Sequence, residues 1–219
     1  MTTLEAIKLI LTVVSGVCWT VVYIEGIRLG FKDKSYAIPF YALALNIAWE
    51  LLHTAFGFRA GVSVQTTINA VWFAFDAGIL YTYFKYGRKY VPTNLPAHGF
   101  IGYSVLCLVA ALCVEYAFIR EFGVAVGAGY SAFLQNLLMS VLFIDMFVKR
   151  GGSEGQSLYI AVSKWVGTLA PTILFGIVGD GGFPRGSLLI LVLGIFCSVF
   201  DLIYVWMLFR PDLARARAA

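Results

Sequence analysis

Six ionisable side chains fall inside apolar stretches of this 219-residue chain: Glu50, Asp76, Glu115, Asp145, Lys164 and Asp201, with His53 close to the first. Each such group near the middle of a bilayer costs about 2.5–3.5 kcal/mol on insertion scales. A passive bundle has no reason to retain so many, so they are expected to face one another or a cavity. Asn46, Glu50 and His53 recur at i, i+4 and i+7 and share one helix face, with Trp49 beside it. Asn69, Asp76 and Tyr83 form a second stripe, flanked by Trp72 and Phe73. Asp201 lies one turn from Tyr204, and Lys164 aligns with Thr168 and Pro171, a proline expected to kink its helix and free a carbonyl.

An un-ionised buried carboxyl can act as a general acid, and aromatic faces stabilise a cation that has no counter-ion. That pairing suits carbocation chemistry on a greasy substrate. It suits a proton-coupled carrier or small-molecule receptor using Glu50 and Asp76 as protonation sites nearly as well, and composition leaves both open. Structural roles compete at each position. Asp145 has Lys149 one turn away and Lys164 at similar depth, which favours an ion pair. Glu115, near a helix end, is expected to snorkel or to pair with Arg120. Lys164 either ties helices together or touches substrate. His53 reads as a hydrogen-bonded partner rather than a catalyst, and Asp76 as a possible interhelical bond. Glu50 and Asp201 stand out because neither has a basic residue within one turn.

Other chemistries lack their residues. There is no His/Cys cluster, no Gly-x-Ser-x-Gly elbow and no Asp-Asp-x-x-Asp run, so neither a metal nor a cofactor is expected. The last apolar segment has no lysine for a retinal Schiff base.

The elements that must position these groups follow from composition. The chain is 60% hydrophobic and 13% charged, with a mean hydropathy of +0.85; soluble domains run nearer 45–50% and about 25%. A soluble enzyme, a disordered chain and a nucleic-acid binder are excluded. Seven segments are long enough to cross a bilayer: about 4–28, 36–58, 66–84, 99–119, 127–148, 158–178 and 187–209. The expectation is an all-α, polytopic membrane protein, with residues 1–219 forming one seven-helix transmembrane domain. The first segment does not read as a cleavable leader, because Glu5 sits where a basic region belongs. All four cysteines fall in apolar runs and read as packing residues.

Eleven of the sixteen Lys and Arg residues belong to the first, third and fifth connections and the C-terminal tail. By the positive-inside rule the N-terminus is expected outside or lumenal and the C-terminus cytoplasmic. At a rise of 1.5 Å per residue, Glu50 falls about 20 Å and Asp201 about 12 Å from the cytoplasmic end. Both are expected to face one cavity at different heights.

At Gly30-Phe-Lys-Asp-Lys-Ser-Tyr36 and Asn46-Ile-Ala-Trp-Glu50 the chain resembles the integral-membrane terpene cyclases of fungal meroterpenoid and indole-diterpene pathways and their bacterial relatives. Ser163-Lys-Trp-Val-Gly167, Gly129-Tyr-Ser131 with Gln135 and Ser140, and Asp201 followed by Tyr204 extend the resemblance along nearly the whole chain. It implies acid-initiated cyclisation of a prenyl chain carried on an aromatic or indole group, starting at a terminal epoxide or an alkene. Carried onto matching positions, Glu50 is the essential acid and Asp201 its acidic partner. Substrate contacts are expected from Asn46, Trp49, His53, Trp72, Asp76, Lys164, Trp165 and Tyr204. Lys164 stands where relatives carry Arg, and Asp76 where some carry an amide. The resemblance implies a lipophilic prenylated substrate supplied by a prenyltransferase and an epoxidase, and contact with membrane lipid but not nucleic acid. It places a bacterial member in the plasma membrane and a fungal one in the endoplasmic reticulum.

Overall fold

Residues 2–94 and 96–210 are described by a computed structural model, and among them all regular structure is helical. Seven α-helices run in order: α1 (Thr3–Lys32), α2 (Phe40–Ala60), α3 (Val64–Tyr86), α4 (Ala97–Phe122), α5 (Val124–Arg150), α6 (Leu158–Ile173) and α7 (Leu188–Phe209). A 3₁₀ turn follows α3 at Gly87–Tyr90, and a π-helical turn extends α6 over Leu174–Val178. Arg215 and Arg217, part of the tail in the charge argument, lie outside the described residues.

Local chemistry moves the helix ends away from the apolar runs. Thr2 caps α1: its hydroxyl accepts from the Glu5 amide at 3.2 Å, while Glu5 accepts from the Thr2 amide at 2.7 Å. Helix α2 starts at Phe40 rather than Tyr36, because Pro39 disfavours helical geometry at the residue before it. Ser63 starts α3 two residues early with a capping box. Between α4 and α5 stands a single residue, Gly123, whose φ of +77° suits glycine. The proline in α6 frees a carbonyl, as its sequence implied. Pro171 has no N–H for the carbonyl of Gly167, and that oxygen instead accepts from Ser15 Oγ of α1 at 2.8 Å. The π-helical turn begins three residues later.

Helix α1 packs chiefly on α6 and α3, α2 on α3, α4 and α5, and α7 on α5 and α6. Close approach of α6 and α7 depends on Gly194, where an added Cβ would run into the Thr172 side chain. The polarity of the bundle is inverted relative to a soluble protein. Leu9, Ile10, Val17, Leu106, Phe196 and Trp206 are exposed, whereas Asn46, Glu50, Asp76, Glu115, Lys164 and Asp201 are buried. Among the described residues, five helices are long and apolar enough to cross a membrane: α1, α4, α5, α6 with its π turn, and α7. Helices α2 and α3 turn polar side chains inward, including Asn46, Glu50 and His53 on one and Asn69 and Asp76 on the other.

A polar clamp closes the end of the bundle where α1, α3 and α5 finish. The Arg150 guanidinium lies over both the Tyr36 and Tyr90 rings, at 4.4 and 4.2 Å from their centroids. It also donates to the Tyr36 and Glu154 carbonyls at 3.0 and 2.7 Å. Lys89 and Tyr90 both reach the Glu154 carboxylate, and Asp33 accepts from the Gly155 amide at 3.0 Å. Three connections are thereby fastened together, leaving the cavity to extend toward the opposite end.

Candidate active site

A cavity of about 420 Å³ lies between α1, α2, α3, α5 and α6 and runs up to the α6–α7 connection at Asp180–Phe183. Its inner part is bounded by Tyr23, Asn46, Glu50 and Gln135, and its flanks by Trp19, Trp49, Trp72, Phe133, Phe175 and Phe183. At the far rim Lys8 of α1 donates to Asp180 at 3.0 Å.

Glu50 is 2% exposed. One carboxyl oxygen, Oε1, accepts from the Tyr23 hydroxyl over a long 3.5 Å; the other, Oε2, has no hydrogen-bond partner. No cation forms an ion pair with Glu50 among the described residues. Asn46 does not hold Glu50 directly. Its amide nitrogen donates to Tyr23 at 2.8 Å and to Asp76 Oδ2 at 2.7 Å, and its oxygen accepts from Gln135 Nε2 at 3.2 Å. With both amide hydrogens and the oxygen engaged, Asn46 has one orientation. Because Tyr23 accepts from Asn46, its own hydroxyl hydrogen is free for Glu50 Oε1. Asp76 stands behind Asn46, wholly buried, as an interhelical partner of α2. Trp49 donates to the Ala128 carbonyl at 3.1 Å and Trp72 to Thr20 Oγ1 at 3.3 Å, so both indoles are fixed in the wall.

Asp201 does not line the cavity that Glu50 lines, contrary to the expectation of a shared one. Asp201 accepts from Lys164 Nζ through both oxygens, at 2.9 and 3.0 Å, with the two side chains 1% and 0% exposed. Lys164 also donates to Ser140 Oγ at 2.6 Å, so α5, α6 and α7 are tied by one ammonium. Neither residue lines the cavity. The pairing escaped the sequence because the partners sit on different helices, where no periodicity connects them. Of its two readings, Lys164 takes the helix-tying one. Asp145 pairs with Lys149 at 2.8 Å, as its one-turn spacing implied, and not with Lys164.

Glu115 corrects a second expectation. It is 1% exposed and its Oε2 has no partner, while Arg120 donates to Tyr116 instead. Trp165 is half-buried outside the cavity. Tyr204 is fully buried and donates to Gln156 Oε1 at 3.0 Å, also away from the cavity. His53 lines a neighbouring chamber rather than the cavity of Glu50. Tyr23 and Trp19, by contrast, are site residues the sequence did not single out. An aromatic residue in an apolar helix carries no mark of facing inward. No group of three or more His, Cys, Asp and Glu among the described residues could hold a metal ion.

The fold is thus a helical bundle with an apolar exterior, holding a buried carboxyl beside a cavity flanked by aromatic side chains. The chain belongs to the Pyr4-like transmembrane terpene cyclases, whose family profile matches residues 1–210. It is 33% identical over 171 residues to the Pyr4-family terpene cyclase mfmH of Annulohypoxylon moriforme, covering 75% of this chain and 68% of that one. It is 30% identical over 170 residues to the terpene cyclase macJ of Penicillium terrestre, covering 75% and 64%. With the asnovolin H synthase nvfL of Aspergillus novofumigatus it shares 23% identity over 205 residues, covering 89% and 82%. The match spans about two thirds of the length of the first two relatives. No solved structure matches the chain.

Proposed function

We propose that this chain is a membrane terpene cyclase that protonates and cyclises a prenyl chain carried on an aromatic or indole-type head, with Glu50 as the acid. The observation that supports this most directly is Glu50 Oε2, a buried carboxyl oxygen without a partner on a residue that lines the aromatic cavity. A carboxylate buried here would have no counter-ion among the described residues, which favours the un-ionised form. Tyr23 occupies Oε1, which leaves the acidic hydrogen on Oε2. That hydrogen passes to the epoxide oxygen or terminal alkene of the substrate. The neighbouring π-bond attacks the opening C–O bond, or the new cation, and ring C–C bonds form in succession. The last cation loses a proton or is captured by a nucleophile on the substrate. One proton is taken from Glu50 and one is released when the last cation, or the nucleophile that captures it, is deprotonated. Solvent takes up the second and resupplies Glu50, so the overall reaction is an isomerisation. Trp19, Trp49 and Trp72 present indole faces to the travelling positive charge. Asp201 is a positioning residue here: with Lys164 it braces α5, α6 and α7 behind the cavity wall.

The same reading has all seven helices crossing the membrane as one domain, with the N-terminus outside or lumenal. The polar clamp lies on the cytoplasmic side and the cavity mouth near Asp180 on the other. The substrate is the product of prenyl transfer onto an aromatic ring and, for the epoxide route, of a subsequent epoxidation.

Turnover in isolated membranes prepared in deuterium oxide tests the initiating step. Alkene protonation leaves one deuterium on carbon at the initiation site, whereas epoxide protonation leaves it on an exchangeable hydroxyl. Recovery of unchanged substrate from membranes that accumulate it would refute the reading and point to a carrier.

A further inference from the structure

Gly16, Tyr23 and Gly30 recur every seven residues and share the face of α1 that looks toward α3. Along that face the two helices separate. A Cβ added at Gly30 would stand 2.9 Å from the Thr82 side chain of α3. Seven residues nearer the start of α1, the Tyr23 ring fits between the helices, with centroids 5.9 and 6.1 Å from Trp72 and Phe75. At Gly16 an added Cβ meets no heavy atom within 4 Å beyond its own turn. Just inward of Gly16, Trp72 donates to Thr20 Oγ1 at 3.3 Å and bridges the pair. From Thr3 to Cys18 no residue of α1 is buried. Over that stretch α1 follows α6 instead: Ser15 donates to the Gly167 carbonyl at 2.8 Å, and Lys8 to Asp180 at 3.0 Å.

The gap opens into the cavity of Glu50. Leu11, Thr12, Ser15 and Gly16 of α1 and Gln65 and Trp72 of α3 all line it. Thr12 and Gln65 are exposed, so the cavity reaches the surface here. Val13, Val17, Val64 and Val71, chain neighbours of four lining residues, are exposed as well and make the edges of the gap apolar. Gly16 lies about 20 Å from the start of α1, within the depth of a hydrocarbon core about 30 Å thick. The α6–α7 connection crosses the end of the cavity. Asp180 is held by Lys8 of α1, a Cβ at Gly182 would stand 3.0 Å from Val126 of α5, and Phe183 is buried with Phe133 and Ile190. Glycine weakens a helix interior relative to alanine. At Gly16, unlike Gly30, no neighbouring element requires its small size.

We propose that the gap between α1 and α3 is a side door through which an isoprenoid chain passes from the bilayer into the cavity, and that Gly16 keeps it open. This rests on the reading of Glu50 as an acid acting on a lipophilic chain. A chain dissolved among lipid tails then stays in apolar surroundings throughout, and none of its methylene groups has to cross water. Gly16 and Tyr23 are about 10 Å apart along α1, so the leading end of the chain meets Tyr23 and Glu50 soon after passing Trp72. A chain entering tail first therefore presents its terminal epoxide or alkene to the acid.

The probe is a tritiated arene bearing a fully hydrogenated prenyl chain, which binds but cannot be cyclised. Its exchange with the purified full-length protein in phosphatidylcholine nanodiscs gives association and release rates, and equilibrium binding gives Kd. A residue at a door changes both rates together. Gly16→Trp should slow association and release about tenfold each and leave Kd unchanged, with Gly16→Leu between it and the wild type. The unchanged Kd also shows that each variant is folded; where Gly16→Trp does not fold, Gly16→Leu is read by the same criteria. Wild-type rates in the Gly16 variants would overturn the proposal. So would a weaker Kd with unchanged association, which puts Gly16 inside the bound site. Slowing by Ala125→Trp alone would move the door to the α5 side of the cavity, and faster exchange in Lys8→Met alone would move it beneath the α6–α7 connection. Glu50→Gln should exchange the probe at wild-type rates while losing cyclisation. Retained cyclisation would remove the acid role of Glu50 and leave the exchange result to stand or fall separately.

Discussion

Substituting Lys164 by Met removes the donor to both oxygens of the Asp201 carboxylate and strands a charge among packed helices. In the native fold both oxygens of Asp201 lie within 3.0 Å of Nζ, and neither residue has meaningful contact with solvent. Breaking one side of such a buried pair costs about 3–5 kcal/mol. For a chain of this size that corresponds to a fall in melting temperature of roughly 6–20 °C. The reverse substitution, Asp201→Leu, strands the ammonium with Ser140 alone and should cost a similar amount. The double variant Lys164→Met/Asp201→Leu removes both charges and should recover most of the loss, so the single effects are far from additive. Melting in detergent can be followed by the fluorescence of the five tryptophans, with cyclisation assayed in parallel at a temperature where all variants are folded. If Asp201 positions rather than reacts, the double variant keeps measurable cyclisation with an unchanged product. A double variant that melts like the wild type and forms no product would refute this and restore Asp201 to the chemistry.

Asn46→Leu should lower kcat on the order of 10–100-fold with KM little altered, because it frees Tyr23 from its fixed position beside Glu50. An unchanged kcat would show that the Asn46–Tyr23 bond does not orient the acid. Single cysteines at Lys34 and at Arg59, in a background lacking Cys18, Cys107, Cys113 and Cys197, should react with impermeant maleimide from the cytoplasmic and opposite faces respectively. Labelling of both from the same face would overturn the proposed orientation.

What the sequence made legible was governed by local rules. Apolar run length located the helices, and i, i+4 spacing placed Asn46 and Glu50 together on α2, where the structure has them near one another on the cavity wall. Helix ends were less legible, since Pro39, Ser63 and Gly123 each shift a boundary through capping or backbone geometry that hydropathy does not register. Partner choice between helices was least legible. Asp201 and Glu50 look alike as isolated acids in apolar runs, yet one meets Lys164 across α6 and α7 and the other meets a tyrosine. Tyr23 showed no signal because only the packing of both α1 and α2 on α3 brings it beside Asn46. Glu115 looked terminal in its run, but α4 extends to Phe122 and carries it inside.

Glu50→Gln tests the acid most directly, because the amide preserves shape and can still meet Tyr23 while removing the transferable proton. Membranes carrying Glu50→Gln at wild-type abundance should form cyclised product at least about 10²-fold more slowly, the contribution of a general acid. Turnover at the wild-type rate in those membranes would contradict the assignment of Glu50 as the proton donor.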